Sequence, residues 1–211
     1  MGAVDAAGPR STKSGETRKR LLAAAREVFE EGGFLDVRIT DITGRVGMST
    51  AAFYYYFESK MQIFREVAES VEDQLIATFE AVLLDTESEA TPQERIGAAG
   101  ELLMIGYRDR ARIMGVIEQV SRYDEQVRGA RRRRSEVFAL RVEESLRDLQ
   151  NHGLVDPDLN PHIARAALGA MTNRFPEAWL VEGDLDCGFA HAVAQITRLL
   201  INALGFSNRC A

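Results

Sequence analysis

From Thr17 onward, apolar positions along the 211-residue chain recur with the period of a helix. Leu21, Leu22, Ala25, Val28 and Phe29 are spaced by three and four residues, which places them on one face. Thr17 reads as the N-cap of this helix. Gly32-Gly33 reads as its stop, because glycine tolerates the left-handed conformation that ends helices. The spacing predicts a second short helix over 38–45, with Ile39, Ile42 and Val46 turned inward, followed by a tight turn at Gly47. Ser49 caps a third helix, 50–57, through its hydroxyl. Phe53 and Phe57, four residues apart, anchor it. Glu58-Ser59 breaks it, and a longer helix runs from Ser59 or Lys60 to about Leu84.

Past residue 85 the pattern stays helical. Pro92 suits a first helical turn, where its missing N–H is not needed. Helices are expected from Pro92 to about Tyr107 and over 109–121, 124–152, 160–182 and 186–204, punctuated by Gly153, Pro157, Pro161 and Gly183. Pro176 inside the fourth of these removes the bond to the Thr172 carbonyl and kinks the axis. No run of period-two alternation predicts a strand. The expected fold is all-α: a three-helix head with a helix-turn-helix at about 38–57, and a larger helical bundle. Residues 1–16, rich in Gly, Ala, Ser and Thr, read as a flexible arm, 17–66 as the head and 67–211 as the bundle.

Two short helices joined by a glycine turn and backed by a third describe a helix-turn-helix, and the residue types sharpen that reading. Three consecutive helical residues cannot all face one core. With Phe53 and Phe57 inside, Tyr54 and Tyr55 project outward beside Thr50, Ala51 and Ala52. Small residues permit close approach to base edges, and hydroxyls donate to phosphate oxygens. Lys60 opens the next helix, where its charge and the free N–H groups together suit a phosphate. Arg18, Lys19 and Arg20 oppose the helix dipole at the start of the first helix, as a basic end lying beside DNA would.

Residues 17–66 resemble the N-terminal domain of the TetR family of bacterial transcriptional regulators. The resemblance rests on Phe29…Gly33-Phe34, then Asp41-Ile42, Gly47, Ser49, Tyr54, Tyr56, Phe57, Ser59 and Lys60. Departures are Thr43, Val46 and Met48 at packing positions, Ala51-Ala52 for a Gly-Thr pair, and Val37-Arg38 for a hydroxyl pair. Arg38 takes the place of the lost hydroxyl as a phosphate contact. The candidate DNA-binding residues are thus Arg38, Thr40, Ser49, Thr50, Ala51, Ala52, Tyr54, Tyr55 and Lys60.

The resemblance also implies a ligand pocket in the bundle and a homodimer through the last two long helices. Leu103, Met104, Tyr107, Met114, Ile117, Phe138, Met171, Phe175 and Trp179 are the candidate lining, with Asn173 or Arg174 as polar anchors. Their methionine and aromatic content suits an apolar or amphipathic effector. Ala164, Ala166, Ala167, Leu168, Ala170 and Met171, with Phe189, Ala192, Val193, Ile196, Leu199, Leu200 and Ala203, give the dimer pair its small and apolar surface. The reading that follows is a homodimeric repressor released from a double-stranded operator by a small molecule. An activator or effector-free regulator, or a helical small-molecule carrier without DNA binding, stays open as an alternative.

Composition first argues against nucleic acid: 26 Lys and Arg against 32 Asp and Glu leave a net charge of −6. The balance is uneven, however. Residues 1–60 carry a net +1 and residues 61–211 a net −7, so the acidic body turns the weakly basic head toward a duplex. Arg131 to Arg134 read as a solvated, salt-bridged face. Cys187 and Cys210 make no disulfide framework or metal spacing, and His152, His162 and His191 are dispersed, so no metal and no cofactor are expected. No nucleophile motif or phosphate loop points to an enzyme. The N-terminal residues lack a secretory core and no segment has the apolar length of a membrane span, so a cytoplasmic setting is expected.

Overall fold

The structure is a computed structural model and describes residues 9–85 and 87–206. Residues 1–8 of the expected arm, and Cys210, lie outside these. All regular structure among the described residues is helical. The chain divides into two compact units, 1–70 and 71–211, with the division falling inside one helix.

In the first unit, α1 spans Pro9–Asp36, α2 Ile39–Arg45 and α3 Thr50–Phe53, and α4 begins at Lys60 and runs to Leu83. The helix α1 starts eight residues earlier than the sequence pattern suggests. Residues 9–16 are therefore helical rather than a flexible arm, and Thr17 is interior rather than a cap. Pro9 supplies a ready-made φ for a first turn, and the polar residues after it carry no strong helix breaker except Gly15. The regular part of α1 ends where expected, at Gly33, whose φ of 71° is the left-handed conformation. Leu21, Ala25 and Phe29 are fully buried on its inner face. Phe29, Phe34 and Phe64 meet pairwise with ring centroids 4.9–5.8 Å apart, in tilted and edge-on arrangements that suit their quadrupoles.

The second unit holds the rest of α4, then α5 (Pro92–Asp109), α6 (Ala111–Ser121), α7 (Glu125–Asn151), α8 (Pro161–Pro176) and α9 (Phe189–Ala203). Three of these helices start on side-chain caps. Thr91 accepts from the Glu94 N–H while Glu94 returns a bond to the Thr91 N–H, Asp124 accepts from Val127, and Asn160 accepts from Ile163. At Pro176 the ladder slips by one residue. The stretch Glu177–Val181 continues as a π-turn, closed by the Glu182 N–H on the Glu177 carbonyl at 3.0 Å. A proline that cannot donate is the physical reason for the slip. Among the described residues no helix is long and apolar enough to cross a membrane. Nor does any cluster of three His, Cys, Asp or Glu there suit a metal ion.

Candidate nucleic-acid interface and effector cavity

The third helix is shorter than its sequence pattern suggests. Regular α geometry covers only Thr50–Phe53, and Tyr54–Tyr56 follow as hydrogen-bonded turns, with the Phe57 N–H reaching the Phe53 carbonyl at 3.0 Å. Four residues cannot hold a helix unaided. Ser49 caps it, its Oγ accepting from the Ala52 N–H at 3.2 Å. Phe53 and Phe57, at 0% and 1% exposure, pin it from below, 5.6 Å apart. The opposite side is open: Ala51 is exposed, and Tyr54 and Tyr55 are 55% and 78% exposed. Tyr56 is half-buried against Tyr55.

At the start of α2, Asp41 accepts from the Arg38 backbone N–H at 2.7 Å. This bond satisfies the N–H of Arg38 itself and leaves the Arg38 side chain exposed, beside exposed Thr40. Arg20 reaches the Val46 carbonyl at 3.2 Å. Arg18 turns inward instead, to Glu66 at 2.5 Å and over the Phe57 ring at 4.7 Å, so its charge is spent inside the head.

Lys60 is a correction of the same kind. Its Nζ donates to the carbonyls of Phe34, Leu35 and Val37 at 2.7, 3.2 and 2.7 Å and lies 4.5 Å over the Phe34 ring. Burial lowers its pKa, and Asp36 and Asp41 oppose that shift. With three donors on three carbonyls, the ammonium closes the chain segment after α1 and has none left for a phosphate. Lys60→Met is expected to destabilise the head by about 1–2 kcal/mol, the net loss of bonds from a charged donor. A phosphate contact would instead leave stability intact and lower the salt slope of DNA affinity by about one. Urea unfolding and a salt titration of binding separate the two.

The second unit encloses a cavity of about 390 Å³, within the usual range for small-molecule sites. Leu103, Tyr107, Met114 and Phe138 line it as expected. Met104 and Ile117 do not: at 1% and 0% exposure they are plain core. Met104 lies one residue, or about 100° of helix, away from Leu103. Trp179 also faces elsewhere, its ring 5.6 Å from Phe175 and 5.5 Å from Phe189. Phe175 is held in that stack, and Met171 is not part of the lining. Asn173 is in the lining, whereas Arg174 pairs with Glu182 at 2.6 Å.

Sequence reasoning missed two groups. Leu75, Ile76, Phe79 and Leu83 of α4 form one wall, and their i, i+4, i+8 spacing was a usable signal. The arginine run is the other. Arg131 and Arg134, three apart, share an inward face and are 25% and 20% exposed. Arg131 Nε meets Glu72 at 2.7 Å and its Nη1 meets Glu118; Arg134 meets Glu72 at 2.7 Å and Asp73 at 2.5 Å. Burial pushes the Glu72 carboxyl up against the pull of both arginines. Burial likewise raises the Glu177 carboxyl, with Glu118 adding to it, and raises the Tyr107 hydroxyl to about 12.

Residues 21–67 match the family model described as bacterial regulatory proteins, tetR family. The uncharacterised HTH-type transcriptional regulator YdgC of Bacillus subtilis is 36% identical over 74 residues, which are 35% of this chain and 38% of that protein. The HTH-type transcriptional regulator UidR of Escherichia coli is 24% identical over 161 residues, 76% of this chain and 80% of UidR. Residues 21–67 thus have the make-up of a TetR-type DNA-binding domain.

Two solved structures share the fold of the chain. A transcriptional regulator of the TetR/AcrR family from Thermobifida fusca has a TM-score of 0.68 and 24% identity, covering 89% of this chain and 97% of that one. GusR of Salmonella enterica has a TM-score of 0.71 and 18% identity, covering 90% and 95%. The match makes the head a helix-turn-helix DNA-binding domain, and the relatives that share it are transcriptional regulators rather than enzymes.

Proposed function

We propose that the chain is a TetR-family regulator, a cytoplasmic homodimeric repressor released from its operator by a small amphipathic molecule bound in the second unit. The observation that carries the DNA reading is the division of α3. Phe53 and Phe57 are buried, while Thr50, Ala51, Tyr54 and Tyr55 occupy the remaining, more open face. Nothing in the head's own packing requires two tyrosines that exposed. Small side chains suit base edges, and Tyr and Thr hydroxyls, with Arg38 and Thr40 at the start of α2, suit phosphates.

A single short helix reads too few bases, and pairing two of them about 34 Å apart spans successive major grooves. The surface for pairing is available on α8 and α9. Ile163, Ala166, Ala167 and Ala170 form an exposed stripe at i, i+3, i+4, i+7 on α8, and Leu199 and Ala203 are exposed one turn apart on α9. Small residues let helices approach closely, and 66% exposure of Ile163 and 55% of Leu199 is unfavourable for an isolated chain. By contrast Ala164, Ala192 and Ile196 are consumed within the unit's own core.

The helix α4 contributes residues to both units, including a wall of the cavity, and is the natural lever. A ligand shifts the heads only by its differential affinity for the bound and released arrangements. The test is a gel-shift titration on DNA upstream of the regulator's own gene. Thr50→Ala and Tyr54→Phe are each expected to weaken specific binding about fivefold, the loss of one hydrogen bond of about 1 kcal/mol, with unchanged melting. Unchanged affinity in both variants overturns the contact assignment.

A further inference from the structure

The lining of the cavity runs opposite in sign to the molecule. The chain carries a net −6, yet the lining holds six arginines (95, 128, 131, 132, 134 and 165) against two glutamates. Both glutamates already have cations: Glu72 has Arg131 and Arg134, and Glu177 has Arg174 at 3.8 Å. Arg131, Arg134 and Arg165 are answered by Glu72, Glu118, Asp73, Glu136 and Glu143 in or beside the lining, and the excess lies with Arg95, Arg128 and Arg132. Arg95 donates to the Asp85 carbonyl at 2.9 Å, with its buried Nε left without a partner. Among the described residues, Arg128 reaches only the Ser121 carbonyl, at 3.5 Å. Arg132 forms no ion pair among the described residues. A guanidinium does not shed its proton to relieve this imbalance.

The charge is also ordered along the helices. One stripe of α7 carries Arg128, Arg131, Arg132 and Ser135, and then changes to Phe138, Val142, Leu146 and Leu149 without leaving the cavity wall. The α4 wall runs the same way, from Glu72, held to Arg131 and Arg134, through Phe79, 4.6 Å from Phe138, to Leu83. At 1.5 Å per residue the α4 wall alone is about 16 Å long. Two helices thus agree on a slot with a basic end, where exposed Arg128 and Arg132 border it, and a long, mainly apolar end, at which Arg165 is paired with Glu136 and Glu143 and Arg95 is held by the Asp85 carbonyl.

We infer that the effector site takes a single-chain anionic amphipath, a carboxylate or phosphate head on an unbranched apolar tail, with Arg128 and Arg132 receiving the head. This assignment rests on the reading of the cavity as the effector site. The head gains charge-assisted bonds from guanidinium groups that lack a carboxylate, and the tail replaces poorly packed space beside Phe79, Phe138 and Val142. A cationic head meets the lining's excess of like charge instead.

Calorimetric titration of the full chain with dodecanoate, dodecyl phosphate, dodecanol and dodecyltrimethylammonium, all below their micellar concentrations, tests this. Dodecanoate or dodecyl phosphate is expected to bind one per chain, with dodecanol weaker by about tenfold, or about 1.4 kcal/mol, and the cation not binding. The tighter of the two anions identifies the head. Arg128→Gln with Arg132→Gln is expected to remove the preference for the anion over dodecanol. Both side chains are exposed, so the melting temperature should hold. Val142→Trp is expected to abolish binding of every probe by filling the tail end. Equal or tighter binding of the cation or the alcohol, still blocked by Val142→Trp, overturns the anionic class and leaves the effector site standing. No binding by any probe, or binding that Val142→Trp does not touch, overturns both.

Discussion

Arg131→Met is expected to destabilise the second unit by about 3 kcal/mol in urea unfolding, the usual consequence of removing one partner from a buried ion pair. Arg131 sits between the carboxylates of Glu72 and Glu118, with Tyr107 nearby. Burial alone lowers its pKa, but Glu72 and Glu118 hold it above the ordinary guanidinium value. The methionine keeps most of the stem's packing and removes only the charge and the donors. Glu72 keeps Arg134 and Glu118 keeps Arg122, so the cost should fall at the lower end of the range for such losses.

The pH dependence follows from the sign of the Glu72 shift. Its folded pKa stands above its unfolded one because burial outweighs both arginines. Such a group favours folding when protonated, so its contribution improves as the pH falls from neutral through that raised value. Without Arg131 the value rises further. The stability gap between Arg131→Met and the parent should therefore narrow on acidification toward the ordinary carboxylate range. A gap that is constant or widening with falling pH sinks the account of Glu72 as a buried carboxylate held by this arginine.

The same arginine shows where the sequence is legible and where it stops. The head was readable nearly residue by residue, because glycine turns, a hydroxyl cap and paired phenylalanines act locally. Ser49, Phe53 and Phe57 do what their spacing predicts. Lys60 was not, because its partners are carbonyls more than twenty residues away, and no local pattern encodes them. In the cavity, four of the nine expected residues stand in the wall. Single helices show which side chains are apolar, but only packing decides whether an apolar face meets core or empty space: Met104 and Leu103 are neighbours with opposite outcomes. The arginine run is deceptive because four consecutive residues, taken as a block, circle the helix. Read every third or fourth position, Arg128, Arg131, Arg132 and Ser135 continue into Phe138 and Val142, and one stripe with a changing chemistry is the mark of a wall rather than of a solvated face. Residues 9–16 were misread for a plainer reason. Composition suggested a loop, whereas a proline at the first position and only one glycine permit a helix.

Phe53→Ala is expected to lower the stability of the head by about 3–4 kcal/mol, the usual cost of emptying a fully buried aromatic site. The argument turns on how little else holds α3 in place. Its regular part is four residues long, far below the length at which backbone bonds alone sustain a helix. Ser49 contributes one cap bond, and the remainder comes from Phe53 and Phe57 sealed beneath it. Removing the Phe53 ring leaves Phe57 and Tyr54 without their shared neighbour, and the turn after α3 loses the reason for its direction. Tyr55→Ala, at 78% exposure, is the matched control. It should change stability by no more than about 0.5 kcal/mol while still weakening the operator complex. Loss of DNA binding then has two separable causes. In Phe53→Ala it should return when the head is stabilised by lower temperature or osmolyte, because the contacts themselves are intact. In Tyr55→Ala it should not return, because part of the surface proposed to meet DNA has been cut away. If Phe53→Ala melts with the parent, α3 is held by something other than the packing beneath it. If Tyr55→Ala binds with the parent's affinity, the exposed face of α3 owes its tyrosines to something other than DNA.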